Sequence, residues 1–139
     1  MEAVFESKTK RVNLSSKLRY ATTHNWDIRI GKNLKIPDYN VMADKCTLPR
    51  KQKDTISVEF YELEHYEIFK TFRNIMQKKI VLIKDFTIYF STMDREAEVM
   101  KYILRDARVS DVILMKDLSS NVEQQKTRVD FKVDGFTID

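Results

Sequence analysis

The sequence predicts a mainly β fold with one α-helix, arranged as a β-sandwich or a partly open β-barrel. Three observations carry this reading. Short stretches alternate apolar and polar residues with a period of two, the mark of strands with one buried face, at 26–30, 56–61, 86–91 and 129–134. One segment, 93–107, instead spaces Met93, Ala97, Met100, Ile103, Leu104 and Ala107 three or four apart, which gives a helix a single apolar stripe. Glycine and proline are scarce, two of each, so turns fall to Asn, Asp, Ser and Lys in longer connections, against a barrel of tight glycine hairpins.

Taken in order, residues 1–23 have little periodicity and read as an N-terminal arm, ordered only by docking on its own body or on a neighbour. Trp26, Ile28 and Ile30 alternate with Asp27 and Arg29 in a first strand, with Gly31-Lys32-Asn33 as its turn. A second strand spans 39–46 and stops at Thr47-Leu48-Pro49, because proline cannot donate to a ladder. Arg50-Lys51-Gln52-Lys53 follows as a short basic loop. A strand covers 55–62. Over 66–77 the apolar residues Ile68, Phe69, Phe72, Ile75 and Met76 fit a 3.6 repeat, yet a strand fits as well, and periodicity alone does not separate them.

Residues 80–83 form a short apolar β run before the strand at 86–90. This strand and the helix after it are the centre of the expected fold. Ser91 or Thr92 caps the helix, with Asp94 in a capping-box-like spacing, Glu96 near the positive end of the dipole and Arg105 and Arg108 toward its negative end. A strand at 112–115, a turn at 116–121 and an exposed polar stretch precede the last strand, which Gly135 bulges before Phe136 and Ile138 continue it.

At 139 residues and 16.6 kDa the chain has the size of one domain, expected to span 1–139. No apolar run approaches the 18 or so residues of a membrane span, and no hydrophobic segment follows a basic start, so neither an anchor nor a signal is expected. The net charge of +4 is uneven: 1–53 holds 12 Lys/Arg against 5 Asp/Glu, and 54–139 holds 13 against 16. A basic first third suits a nucleic-acid surface, or one of two complementary faces of a self-assembling subunit. The basic residues are scattered rather than packed on one helix or loop, which favours assembly.

The residues do not converge on a catalytic site, and no enzyme activity, metal or cofactor is expected. The two histidines, His24 and His65, lack ligands at metal spacing, and Glu62-Leu63-Glu64-His65 reads as a solvated acidic edge. The lone cysteine, Cys46, reads as a small buried hydrophobe. Phosphate-cradling loops, dinucleotide fingerprints and nucleophile elbows are missing from the sequence. Trp26 fits a core position better than a base-stacking platform. Basic and aromatic residues mingle at 17–20 and 69–73, the pattern of a nucleic-acid surface, although the second stretch also matches a buried face.

The order of features resembles the tail-tube family of contractile-tailed bacteriophages and, more loosely, the tube proteins of contractile injection systems. Asn25-Trp26-Asp27-Ile28-Arg29-Ile30 is similar to a first tube strand, and Val41-Met42-Ala43-Asp44-Lys45-Cys46-Thr47-Leu48-Pro49 to a second one entering a Leu-Pro corner. The strand at 86–90 with its helix, then 113–118 and 129–136, complete the match over 24–139; the span 50–84 departs from it. The resemblance implies a tail-tube-like fold whose copies join into rings, six to a ring, that stack into a conduit for DNA or protein. Implied partners are further copies of the chain and neighbouring tube, baseplate or sheath proteins, in a phage tail assembled in the host cytoplasm. Arg50, Lys51 and Lys53 are the candidates for ring stacking, and the arm with Lys8, Lys10 and Arg11 for a neighbouring subunit. The second reading is a basic β-rich nucleic-acid-binding domain.

Overall fold

Ile56, Val58 and Phe60 fall on one face of β3 (Asp54–Tyr61), and Val129, Phe131 and Val133 on the matching face of β7 (Lys126–Val133). Antiparallel pairing sets Ile56 opposite Phe131 and Val58 opposite Val129, so the two strands pool one apolar surface. Outer strands β2 (Ala43–Cys46) and β6 (Arg108–Leu114) complete a sheet ordered β2-β3-β7-β6. A second antiparallel sheet, ordered β1-β4-β5-β8, contains β1 (Trp26–Arg29), β4 (Phe86–Ser91), β5 (Glu98–Arg105) and β8 (Gly135–Ile138). This is a mainly β fold of two open sheets, seen in a computed structural model that describes residues 21, 23–31, 43–78 and 81–139. The expected strand at 39–46 is seen from Ala43 onward; its first residues, like most of the expected arm, lie outside the described residues.

The helix expected over 93–107 is a strand. β5 pairs with β4 through Phe86–Leu104, Ile88–Tyr102 and Phe90–Met100, so Met100, Tyr102 and Leu104 share a face at a period of two. The residues that resembled a helix cap instead close the β4–β5 hairpin. Thr92 Oγ1 donates to Asp94, Asp94 Oδ1 accepts from the amide of Glu96 at 3.0 Å, and the amide of Thr92 donates to the carbonyl of Ala97 at 2.9 Å. Short polar side chains serve caps and turns through the same bonds, so the local signal fits both. Among the described residues the helix is α1 (Glu67–Gln77), the stretch that periodicity left open between helix and strand.

Chain corners join the sheets. β5 passes into β6 through Asp106 and Ala107, and Ala107 is fully buried with its carbonyl accepting from Ile83 at 2.8 Å. β7 passes into β8 through Asp134 alone. Gly135 therefore does not bulge one continuous strand; it opens β8 in the other sheet. A Cβ there would meet the side-chain ends of Arg105 and Gln52. With glycine scarce, left-handed backbone falls on Lys53, Tyr66, Asp85, Arg95 and Asp106 (φ 51° to 61°), each in a turn or connection between elements.

Four aromatic rings join the layers. Phe131 of β7 meets Phe86 of β4 edge-on at 4.9 Å and Phe72 of α1 edge-on at 5.7 Å, and Phe72 stacks on Phe60 of β3 at 5.7 Å. All four are buried. One side chain of β7 thus touches both the opposite sheet and the helix.

The helix is seated by a buried carboxylate. Glu62, 7% exposed, accepts at Oε1 from the amides of Leu63 (2.8 Å) and Ile68 (3.2 Å), and at Oε2 from Phe69 (3.0 Å) and the hydroxyl of Thr127. It satisfies two amides in the first turn of α1 and brings negative charge to the positive end of the helix. The stretch 62–67 is therefore not uniformly a solvated acidic edge: Glu64 and His65 are exposed, and Glu62 is internal. Glu62→Ala is expected to lower stability by about 1–3 kcal/mol in urea unfolding, because it orphans buried donors. Glu64→Ala should stay within about 0.5 kcal/mol.

Candidate assembly surface

The loop that follows Pro49 projects its cations into solvent while its polar side chains hold its shape. Arg50, Lys51 and Lys53 are all exposed. Asp54 accepts from the amides of Arg50 at 2.8 Å and Thr55 at 2.9 Å, and these bonds hold its carboxyl below the usual carboxylate range. Gln52 fastens the loop to β8: its Oε1 accepts from the amide of Phe136 at 2.9 Å, and its Nε2 donates to the Phe136 carbonyl at 3.2 Å. A side-chain amide here does what a neighbouring strand would do, and Arg105 Nη2 donates to the same Oε1 at 3.2 Å. Gln52 lies inside the basic run, where local sequence contains nothing that distinguishes an anchor from a solvated residue.

Each sheet ends on strands that pair on one side only among the described residues: β1 and β8 in one, β2 and β6 in the other. Edge groups of this kind invite pairing with another chain. The β2 edge is held by a charged cluster. Asp44 accepts from Lys126 Nζ at 2.9 Å and from the Tyr61 hydroxyl at 2.8 Å, and the ammonium lies 5.4 Å from the centre of the Tyr61 ring. The Lys126 bond, then the Tyr61 bond, lowers the Asp44 carboxyl; Asp44 in turn raises both Lys126 and Tyr61. These three residues are far apart in sequence, so only the β2–β3–β7 pairing brings them together.

Of the residues singled out from sequence, Arg50, Lys51 and Lys53 share one exposed loop, whereas Lys8, Lys10 and Arg11 lie outside the described residues. Trp26 packs against the core, partly buried. In the mixed basic and aromatic stretch, Phe72 is buried, and Phe69 is partly buried with the Arg73 guanidinium 5.9 Å from its ring. Cys46 lines a small apolar cavity with Trp26, Leu48, Ile88 and Phe90, and burial pushes its thiol up to about 12. Among the described residues no group of three or more His, Cys, Asp or Glu could hold a metal ion, and no helix is long and apolar enough to cross a membrane.

Comparison with solved structures places the architecture. The chain superposes on a protein of the anti-feeding prophage tube-terminating cap with a TM-score of 0.66 at 10% identity, covering 88% of this chain and 93% of that one. It superposes on a chain of the anti-feeding prophage baseplate, 6-fold symmetrised, at 0.62 and 7% identity (87% and 96% covered). A third likeness is to a chain of the sheath–tube complex of an extracellular contractile injection system in its extended state, at 0.57 and 12% identity (96% and 99% covered). No family model and no curated relative matches the sequence. The fold is thus the tail-tube-like fold of contractile injection machines, present across nearly the whole chain.

Two outcomes test this geometry. Because the folded Asp44 carboxyl titrates below its usual 3.8, its tie to Lys126 is complete at neutral pH and is lost as pH falls through that lowered value. Hydrogen exchange at 43–46, corrected for intrinsic rates, should hold from pH 7 to about 4 and rise below it; Asp44→Asn should raise it already at pH 7. Cys46, with its thiol raised to about 12, should react with a thiol-specific reagent at pH 8 far more slowly in the folded protein than in urea.

Proposed function

We propose that the protein is a structural subunit of the tube, or of the adaptor at a tube end, in a phage tail or related contractile injection particle. Copies join at their open sheet edges into a ring of six, and rings stack into a conduit that DNA or protein passes through. The observation that carries this reading is the tail-tube-like fold over nearly the whole chain, shared with components of a tube cap, a baseplate and a sheath–tube complex. The six-fold symmetry of the baseplate whose chain shares this fold supports six copies.

Edge strands support the same reading. Closing identical subunits into a ring pairs each open edge with the next and leaves none to extend without limit. The exposed loop with Arg50, Lys51 and Lys53 serves the stacking contact, and the arm with Lys8, Lys10 and Arg11 a neighbouring subunit. Other partners are adjoining tube, baseplate or sheath proteins. The subunit works by position and performs no catalysis.

Mass measured by light scattering on purified protein tests the ring. The expected result is a species of six chains of 16.6 kDa, or multiples of it, growing as concentration rises. A mass of one chain at every concentration, with and without neighbouring tail proteins, would contradict the reading. Binding to duplex DNA that weakens steeply with salt, in a protein that stays monomeric, would favour the nucleic-acid-binding alternative.

A further inference from the structure

The two ends of the β2-β3-β7-β6 sheet differ in charge and in shape. Where β6 begins and β7 finishes, an open cleft of about 510 Å³ is lined by Lys53, Arg108 and Lys132 and by Asp54, Asp106 and Asp134. Three cations face three acids in the cleft itself, and Arg50 and Lys51 on the adjoining loop add two exposed cations beside it. Asp54 is already occupied by the amides of Arg50 and Thr55. Arg108 stands directly opposite Lys132 across the ladder, a like-charge pairing that costs energy when nothing answers it. Among the described residues, Lys53, Arg108 and Lys132 make no side-chain hydrogen bond or ion pair.

At the other end, about 20 Å along the seven residues of β6, the connection 115–125 projects beyond the sheet. It is held in shape by Gln125, whose Oε1 accepts from the amide of Lys116 at 2.8 Å and whose Nε2 donates to the Lys116 carbonyl at 3.0 Å. Its apolar side chains Leu118 and Val122 are 90% and 103% exposed, which leaves them no folding role. Together with Glu64 on the adjacent turn, this loop presents Asp117 and Glu123, with Lys116 Nζ 3.9 Å from Glu123 and with Lys126, just after the loop, tied to Asp44. Exposed apolar side chains on a preorganised loop are the makings of a contact anchor, and the cleft has the volume of a site that takes a drug-sized ligand.

We propose that loop 115–125 of one copy docks into the cleft of a second copy, head to tail, with Asp117 and Glu123 facing Arg108 and Lys132 and with Leu118 and Val122 at its centre. A contact between different patches of identical chains closes into a ring or propagates according to the rotation between copies, and two patches at opposite ends of one sheet suit propagation into a stack. The proposal rests on the ring reading above, because it names the contact by which one ring meets the next.

The test compares the full chain with three variants by sedimentation and electron microscopy. R108E/K132E should cut the stacked fraction at least about tenfold while leaving single rings, because acids then face acids. Adding D117K/E123K to that variant should restore most of the stacking. L118D/V122D changes only fully exposed side chains, so it should fold normally and also yield single rings. Stacks that persist in R108E/K132E and L118D/V122D overturn the proposal and leave the ring reading standing, as does a wild-type protein that never passes beyond single rings. Loss of duplex DNA binding in R108E/K132E with stacks intact would show the cleft to be a phosphate site and overturn it too. A wild-type protein without rings overturns both.

Discussion

The contact on which the structure depends is that of Phe131 with its two edge-on neighbours. Phe86 belongs to one sheet, Phe72 to the helix, and Phe131 to the other sheet, so three layers meet at one ring. Each layer alone offers a single apolar face, and neither a four-stranded sheet nor an eleven-residue helix can bury such a face by itself. Glu62 complements that packing from the polar side. It fixes where α1 starts relative to β3 and β7, so Phe72 arrives over Phe60 and Phe131 rather than a turn away. Truncating Phe131 would therefore loosen the sheet-to-sheet contact and the helix seat together.

What local sequence reveals depends on whether a residue's partner lies nearby. The alternations at 26–30, 56–61 and 129–134 were legible because one face of each strand is buried and the other is not. The stretch 93–107 reads locally as helix because Met93, Ala97, Met100, Ile103, Leu104 and Ala107 satisfy a helical spacing, while within it Met100, Tyr102 and Leu104 satisfy the strand that forms. Pairing with β4 decides between them, and that pairing involves residues outside the stretch. Thr92 and Asp94 compounded the error, since their turn bonds mimic a helix cap. The true helix was hidden by the opposite ambiguity, and its capping carboxylate sits five residues before its first residue, outside the usual cap position.

The candidate surface was legible in part for the same reason. A run such as Arg50-Lys51-Gln52-Lys53 announces its cations in one dimension, and the loop is exposed as its composition suggests. That Gln52 pairs with Phe136 follows from where its loop meets β8, and that Asp44 gathers Lys126 and Tyr61 and Arg108 faces Lys132 follows from the pairing of distant strands. Surface chemistry made by strand pairing has no local signature. It becomes visible only once the sheets are assembled.

Among the described residues these elements give a two-sheet body whose outer strands pair on one side only, with a cleft at one end of the β2-β3-β7-β6 sheet and an exposed loop at the other. Such a body suits an architectural part whose work lies in how copies meet. Electron micrographs of the purified protein, averaged end-on, test that claim most directly. Rings with a central hole and six-fold symmetry are the expected result. Averages showing single compact particles without a hole, at concentrations where the protein is fully folded, would contradict it.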